Sequence, residues 1–311
     1  MEDNLFKAAD NVGIYGRFPS PMPGLDAMIS ALDSFVPGAE KYIQGFNNVE
    51  GWRSHSVKFF DDHFIFLAIS LLAYPPVIFG LVQFMKNREP FDLRVPLILW
   101  NLFLALFSLL GAIYMIPLFP IALSEYGWWT SVCSRWCYGI GGNAFLVFLF
   151  DLSKVFEFVD TLFIVLRKKP LIFLHYYHHV ATMAFCWYCN QTSQDYGCHG
   201  FYFSTMNFFV HFVMYTYYAV MAMRIRIPNF VSTFITTMQI VQMIIGVGVV
   251  YTLSTCYNVD NTTVYFGSVL YLSFFLLFAE FFYKRYFTKK PATSPTAQQN
   301  STPKSPKQKS Q

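Results

Sequence analysis

Three histidines fall within five residues, at His175, His178 and His179. Imidazole can act near neutral pH as nucleophile, proton acceptor or metal ligand. On a helix, steps of three and four place the three rings on a shared face. Other groups recur at the same spacing. Lys154, Glu157 and Asp160, followed by Thr161, run along one side of a preceding segment. Asn207 and His211 stand four apart ahead of Tyr215 and Tyr218, and Thr236, Gln239 and Gln242 follow steps of three. Taken singly, an intramembrane His211 reads equally well as a helix-packing hydrogen bonder, and Asn207, Gln239 and Gln242 as interhelical glue. Lys154 and Glu157 also fit a mutually neutralising pair, and Tyr176 and Tyr177 fit wall or core. Three clustered histidines do not reduce to packing so readily.

The elements that must position these groups are apolar. Of 311 residues, 55% are hydrophobic, 20% aromatic and only 13% charged, against about 25% charged in a soluble domain. The net charge of +4 is too small to argue for nucleic-acid binding. The first 58 residues hold no basic stretch followed by an apolar one, so no cleavable signal peptide is expected. A spanning helix needs roughly 20 mainly apolar residues. Seven segments qualify, at 63–85, 97–117, 138–166, 171–190, 201–223, 230–253 and 264–286, and no internal repeat relates them. The expected fold is an all-α polytopic membrane protein of seven transmembrane helices. Pro75–Pro76 should kink the first. The third is long and carries Asp151, Lys154, Glu157 and Asp160.

Basic residues orient the bundle. Lys86, Arg88 and Arg94 follow the first span, Arg167, Lys168 and Lys169 the third, Arg224 and Arg226 the fifth, and Lys284, Arg285, Lys289 and Lys290 the seventh. The loop after the second span has only Arg135, and those after the fourth and sixth have no basic residue. This alternation predicts a luminal N-terminus and a cytosolic C-terminus, with Arg53 and Lys58 as a mild counter-signal. The chain then divides into a luminal arm (1–60), a seven-helix catalytic domain (61–287) and a cytosolic tail (288–311) rich in Ser, Pro, Thr, Gln and Lys and expected to be disordered. Within the arm, Leu25, Met28, Ile29, Leu32, Phe35 and Val36 fit either a short amphipathic helix on the membrane surface or a loose polar arm. Sequons at Asn190 and Asn261 fall on the luminal side as candidate glycosylation sites, each equally consistent with chance.

Depth brings the polar groups together. At the helical rise, Asp160 and His178 each lie roughly 10 Å from the cytosolic end, and His211 roughly 18 Å from its own. Ionisable groups inside a span are costly and mark function. A polar cavity inside the bundle, opening toward the cytosol, accounts for them.

Three chemistries compete for such a cavity. A di-iron membrane oxygenase or desaturase needs many imidazoles. Of the seven histidines, His55, His63 and His199 fall on the luminal side, leaving four. Two irons would then need carboxylates that the pattern does not place. A single-metal site on His175, His178 and His179 is the weaker version. A transporter suits a central polar site, but the one-sided opening fits an enzyme that draws substrate from the cytosol. Cys186 and Cys189 fall in the fourth span without partner ligands, and Cys137 at the start of the third, so no cysteine metal site is expected.

The third chemistry is acyl transfer, and here four motifs in order carry a resemblance: K-x-x-E-x-x-D-T from Lys154 to Thr161, H-x-x-H-H from His175 to His179, N-x-x-x-H-x-x-M-Y-x-Y-Y from Asn207 through His211, Met214, Tyr215 and Tyr217 to Tyr218, and T-x-x-Q-x-x-Q from Thr236 to Gln242. Together they resemble the very-long-chain fatty acid elongases over nearly all the spans. The aromatic Tyr176 after His175 is similar to the branch acting on saturated and monounsaturated chains. The resemblance implies a 3-oxoacyl-CoA synthase of the endoplasmic reticulum that condenses long-chain acyl-CoA with malonyl-CoA, releasing CO2 and CoA. It implies that spans two to seven ring an acyl-chain tunnel closed at the luminal end, with span one outside. It implies a ping-pong route with no cofactor or metal, in which His178 takes the acyl group. His211 would position malonyl-CoA from the next span. His175 and His179 would orient His178 or stabilise oxyanions, and Asp160 would fix a histidine tautomer. Asn207, Tyr215, Gln239 and Gln242 join Lys154, Glu157, Asp160 and Thr161 as candidate substrate contacts, with Gln239 and Asn207 as neutral donors. Arg167, Lys168 and Lys169 would meet the CoA phosphates. The resemblance also implies a luminal Cys133–Cys256 disulfide and, as partners, the ketoreductase, dehydratase and enoyl reductase of the elongation cycle. The tail departs from the family in lacking an endmost dilysine pair.

Overall fold

The computed structural model describes residues 30–46, 51, 53–134, 136–139, 142–192, 198–257 and 259–287. Every regular element among them is helical. The N-terminal segment forms α1 (Ala39–Gln44), a π-helical turn (Arg53–Val57) and α2 (Lys58–Asp62). The bundle follows as α3 (Phe64–Met85), α4 (Arg94–Met115), α5 (Leu118–Cys133), α6 (Asn143–Phe156), α7 (Phe158–Leu166), α8 (Phe173–Thr192), α9 (His199–Ala222), α10 (Asn229–Leu253) and α11 (Asn261–Tyr286). By length and composition α3, α4, α10 and α11 can each cross a membrane. The expected third, fourth and fifth spans coincide with α6–α7, α8 and α9, which carry the polar clusters. The expected disordered tail and Leu25, Met28 and Ile29 lie outside the described residues.

Two differences from the sequence reading have physical causes. The stretch after the second span, read as a loop, is α5. It begins after Pro117 with Pro120 in its first turn, where proline removes no needed donor, and Gly127 breaks it at φ 69°. The long third span divides at Glu157, whose N–H donates to Ser153 O while Asp160 N–H donates to Glu157 O. That tight turn leaves α6 and α7 meeting at a buried carboxylate.

The core is aromatic and joins the N-terminal segment to the bundle. Phe46 and Phe60 are fully buried against Phe148. Leu32, Phe35 and Val36 stay exposed. α4 packs most extensively on α9, where Gly111 admits the Phe208 ring so closely that a Cβ there would sit 2.6 Å from it. α10 lies on α11 through Gly246, where a Cβ would sit 2.2 Å from Tyr271 Cε1. α8 packs against α6 and α11, and α7 against α3. Asp260 caps α11 by accepting from the N–H groups of Thr262 and Thr263. At one end of the bundle Cys133 bonds to Cys256 and Cys137 to Cys198, with Cα–Cα distances of 5.5 and 5.8 Å. The second pair had no counterpart in the sequence reading. Cys186 and Cys189 belong to neither disulfide. At the other end Arg94 donates to the carbonyls of Ala222 and Met223, closing the C-terminus of α9.

Candidate active site

Helix periodicity aims the rings of α8 into the bundle, where each acquires different neighbours. His178 lines an internal cavity together with Lys154, Asn207 and Gln242. His179 is buried, edge-on to both His175 and His178 with ring centroids 4.5 and 5.4 Å away. His175 Nε2 lies 2.8 Å from Thr161 Oγ1, which lies 2.6 Å from the Tyr74 hydroxyl. That chain runs from α3 through α7 to α8 and fixes the His175 ring. If Thr161 donates to His175, it accepts from Tyr74; the proton order can also run the other way. His178 itself rests against the Phe274 ring, centroids 5.2 Å apart.

A charged cluster stands beside the histidines. Lys154 and Glu157 are both buried, and Lys154 Nζ donates to Glu157 Oε1 at 2.6 Å. Glu157 Oε1 also accepts from Ser153 Oγ at 3.3 Å, and Glu157 Oε2 has no hydrogen-bond partner among the described residues. Lys154 Nζ further donates to Asn207 Oδ1 at 3.3 Å, and Asn207 Nδ2 donates to His211 Nε2 at 3.2 Å. With Nε2 accepting, the neutral His211 ring carries its proton on Nδ1, 3.8 Å from Glu157 Oε1. His211 therefore stands behind Asn207 and Glu157 and does not line the cavity that His178 lines.

Asp160 departs from its expected role. Its oxygens accept from Trp100 Nε1 at 2.6 Å and the Tyr215 hydroxyl at 2.7 Å, and no histidine among the described residues hydrogen-bonds to it. The side chain hydrogen-bonded to His175 is Thr161. Gln242 reaches the cavity, whereas Gln239 turns to Met214 Sδ at 3.4 Å. Arg167, Lys168 and Lys169 also divide from the site. Lys168 and Lys169 line a groove against α3 that shares no residue with the histidine cavity. Asn190 is buried, with its amide donating to Ser56 Oγ and Asp151 Oδ2, so it is not presented for glycosylation, whereas Asn261 is exposed.

Sequence reasoning missed Tyr74 and Trp100 as partners of the site. Each is one aromatic among many in an apolar span, with no local signal. It noted Asp151 but gave it no place; Asp151 lines the cavity together with Lys154, Cys186, Cys189 and His199. The apolar part of its lining includes Phe150, Phe185, Phe203 and Met243. Among the described residues no three His, Cys, Asp or Glu side chains are arranged to hold a metal ion. The arrangement offers one imidazole of the box on the cavity wall, flanking imidazoles held by hydrogen bonds and packing, amide donors, a buried cation and apolar walls.

Residues 59–294 match the family model described as ELO: GNS1/SUR4 family. The chain is 42% identical over 236 residues to long chain fatty acid elongase 1 of Caenorhabditis elegans, covering 74% of this chain and 81% of that protein. It is 42% identical over 229 residues to very long chain fatty acid elongase 6 of Drosophila melanogaster, covering 68% and 69%. It is 40% identical over 233 residues to very long chain fatty acid elongase 6 of Gallus gallus, covering 73% and 84%.

Proposed function

Because the chain belongs to the ELO (GNS1/SUR4) family and is a membrane-embedded, fatty acid elongating enzyme, we propose that it condenses a long-chain acyl-CoA with malonyl-CoA through an acyl-enzyme on His178. The observation that carries this is the placement of His178. It is the one histidine of the box that lines the cavity, beside Lys154, Asn207 and Gln242, while His175 and His179 pack behind it.

In this scheme an imidazole nitrogen of His178 attacks the acyl thioester carbon. The C–S bond breaks and CoA leaves, taking up a proton. Malonyl-CoA then loses CO2 to give an enolate, whose carbon attacks the acyl-imidazole. The C–N bond breaks, the released ring nitrogen takes a proton from solvent to restore His178, and 3-oxoacyl-CoA forms. Gln242 and Asn207 supply neutral N–H donors to oxyanions that develop at the cavity wall. Lys154 and Glu157 hold Asn207 and His211 in register, and His211 acts on the malonyl group through Asn207, which lines the cavity. The apolar walls of the cavity receive the acyl tail.

The same reading takes α3, α4, α6–α7, α8, α9, α10 and α11 as seven spans, with all but α3 around the acyl chain. It places the protein in the endoplasmic reticulum membrane with its N-terminus luminal and C-terminus cytosolic. Two disulfides at one end and the cationic loops at the other support that orientation. The aromatic second position of the box, Tyr176, supports a preference for saturated and monounsaturated chains, and the later reductases and dehydratase of the cycle are the partners the product requires.

Purified protein given acyl-CoA alone should release CoA and gain one acyl group on the peptide bearing His178. A His178→Ala protein that still does both would reject the assignment.

A further inference from the structure

The loops after α3 and α7 are joined. Phe91 N–H donates to Leu166 O at 3.0 Å, and Lys168 Nζ donates to Lys86 O at 3.1 Å and Arg88 O at 2.9 Å. Lys168 holds φ at 52°, a left-handed conformation that a non-glycine side chain keeps only where its surroundings fix it. The joint walls a groove of about 640 Å³. Its cations are Lys86, Lys168 and Lys169, its walls include the apolar Phe79, Val82 and Leu171, and no carboxylate lines it. Lys168 is committed to carbonyl oxygens, so Lys86 and Lys169 are the ammonium groups left to meet a ligand.

Two properties of the groove point to the same occupant. The cations lie at the end of α3, where the apolar helix gives way to the basic loop, which is headgroup depth. The apolar wall continues onto the outer face of α3, where Phe79, Val82 and Leu72 are all exposed. A soluble phosphate would satisfy the lysines and make no use of that wall. A phospholipid satisfies both.

We propose that this groove binds the phosphate headgroup of an anionic membrane phospholipid, with Lys86 and Lys169 on the phosphate and one acyl chain against Phe79 and Val82. The site is separate from the condensing cavity, since the two share no lining residue.

The test is binding of dioctanoyl phosphatidic acid to the purified full-length protein, with dioctanoyl phosphatidylcholine, inorganic phosphate and CoA as separate ligands and competitors. Phosphatidic acid should bind at least tenfold more tightly than phosphatidylcholine. A basic residue near a membrane surface contributes about fivefold in affinity, so the Lys86→Gln/Lys169→Gln protein should bind about 30-fold more weakly. Gln83→Glu, an exposed change at the groove, should also weaken binding by adding a like charge while keeping every lysine. Elongation by the Gln83→Glu protein should match the parent, and an unchanged thermal unfolding midpoint shows that the lysine variant is folded. Equal affinity for the two lipids, or unchanged affinity in the variants, overturns the proposal. So does displacement of the lipid by CoA or phosphate at comparable concentration. A raised KM for acyl-CoA in the lysine variant also overturns it, by returning these lysines to the substrate.

Discussion

Replacing Lys154 with methionine tests whether Lys154 and Glu157 form a true buried ion pair. Their side chains are 3% and 4% exposed, with Nζ and Oε1 2.6 Å apart. Lys154→Met keeps the aliphatic volume but leaves the Glu157 carboxylate among Ser153 Oγ, the His211 ring and an Oε2 atom that has no partner. Removing one member of a buried pair costs about 3–5 kcal/mol, because the remaining charge stays desolvated. The Asn207 Oδ1 contact at 3.3 Å is also lost. Lys154→Met should therefore destabilise by about 4 kcal/mol, and Glu157→Gln by a similar amount. In the double variant no unpaired charge remains, and stability should return to within about 2 kcal/mol of the parent. Reversible unfolding in mixed micelles, followed by tryptophan fluorescence, measures all four proteins. A Lys154→Met cost below about 1 kcal/mol would refute the reasoning. So would a double variant whose loss equals the sum of the singles.

Thr161→Val removes the hydroxyl between Tyr74 and His175 and should cost about 1–3 kcal/mol; elongation should fall, and Thr161→Ser should restore both, as read by unfolding and product formation. Gly246→Ala drives a Cβ into the Tyr271 ring and should cost about 1–3 kcal/mol in the same unfolding assay, whereas the open Gly248 tolerates alanine. The Tyr188 hydroxyl and then the Thr262 N–H hold the Asp260 carboxyl below the usual carboxylate range. Its stabilisation is thus present above that range and lost as pH falls through the lowered value; Asp260→Ala should cost about 1 kcal/mol at neutral pH and flatten the acid limb of the stability profile. Reduction of the Cys133–Cys256 and Cys137–Cys198 bonds should each lower stability by about 2–5 kcal/mol, and a non-reducing peptide map should return these two pairings and no other.

Spacing within a helix is a local property, and what depended on it was legible. Steps of three and four put His175, His178 and His179 on one face and aligned Lys154 with Glu157, and the structure keeps both relations. Runs of apolar residues located α3, α4, α10 and α11 to within a few residues, because lipid-compatible length is written in composition. Relations between helices were not legible in the same way. No local pattern distinguishes Trp100 or Tyr74 from the other aromatics of their spans, yet Trp100 takes the Asp160 oxygen that had been assigned to a histidine. The break at Glu157 depends on a tight turn beside the buried ion pair, and the course of Lys168 and Lys169 toward α3 depends on two carbonyls some 80 residues earlier in the chain. Cys137 and Cys198 pair because α9 begins beside the turn that precedes α6.

The sequence by itself determined the helical class, the clusters of reactive side chains and the face each shares with its neighbours on the same helix. Only the tertiary structure decided which imidazole meets the cavity, which are held behind it, and which polar partner each carboxylate receives. The physical reason is that rotation and depth of one helix against another are set by close contacts such as Gly111 on Phe208 and Gly246 on Tyr271. Those contacts join residues far apart in the chain, and periodicity along a single helix carries no information about them.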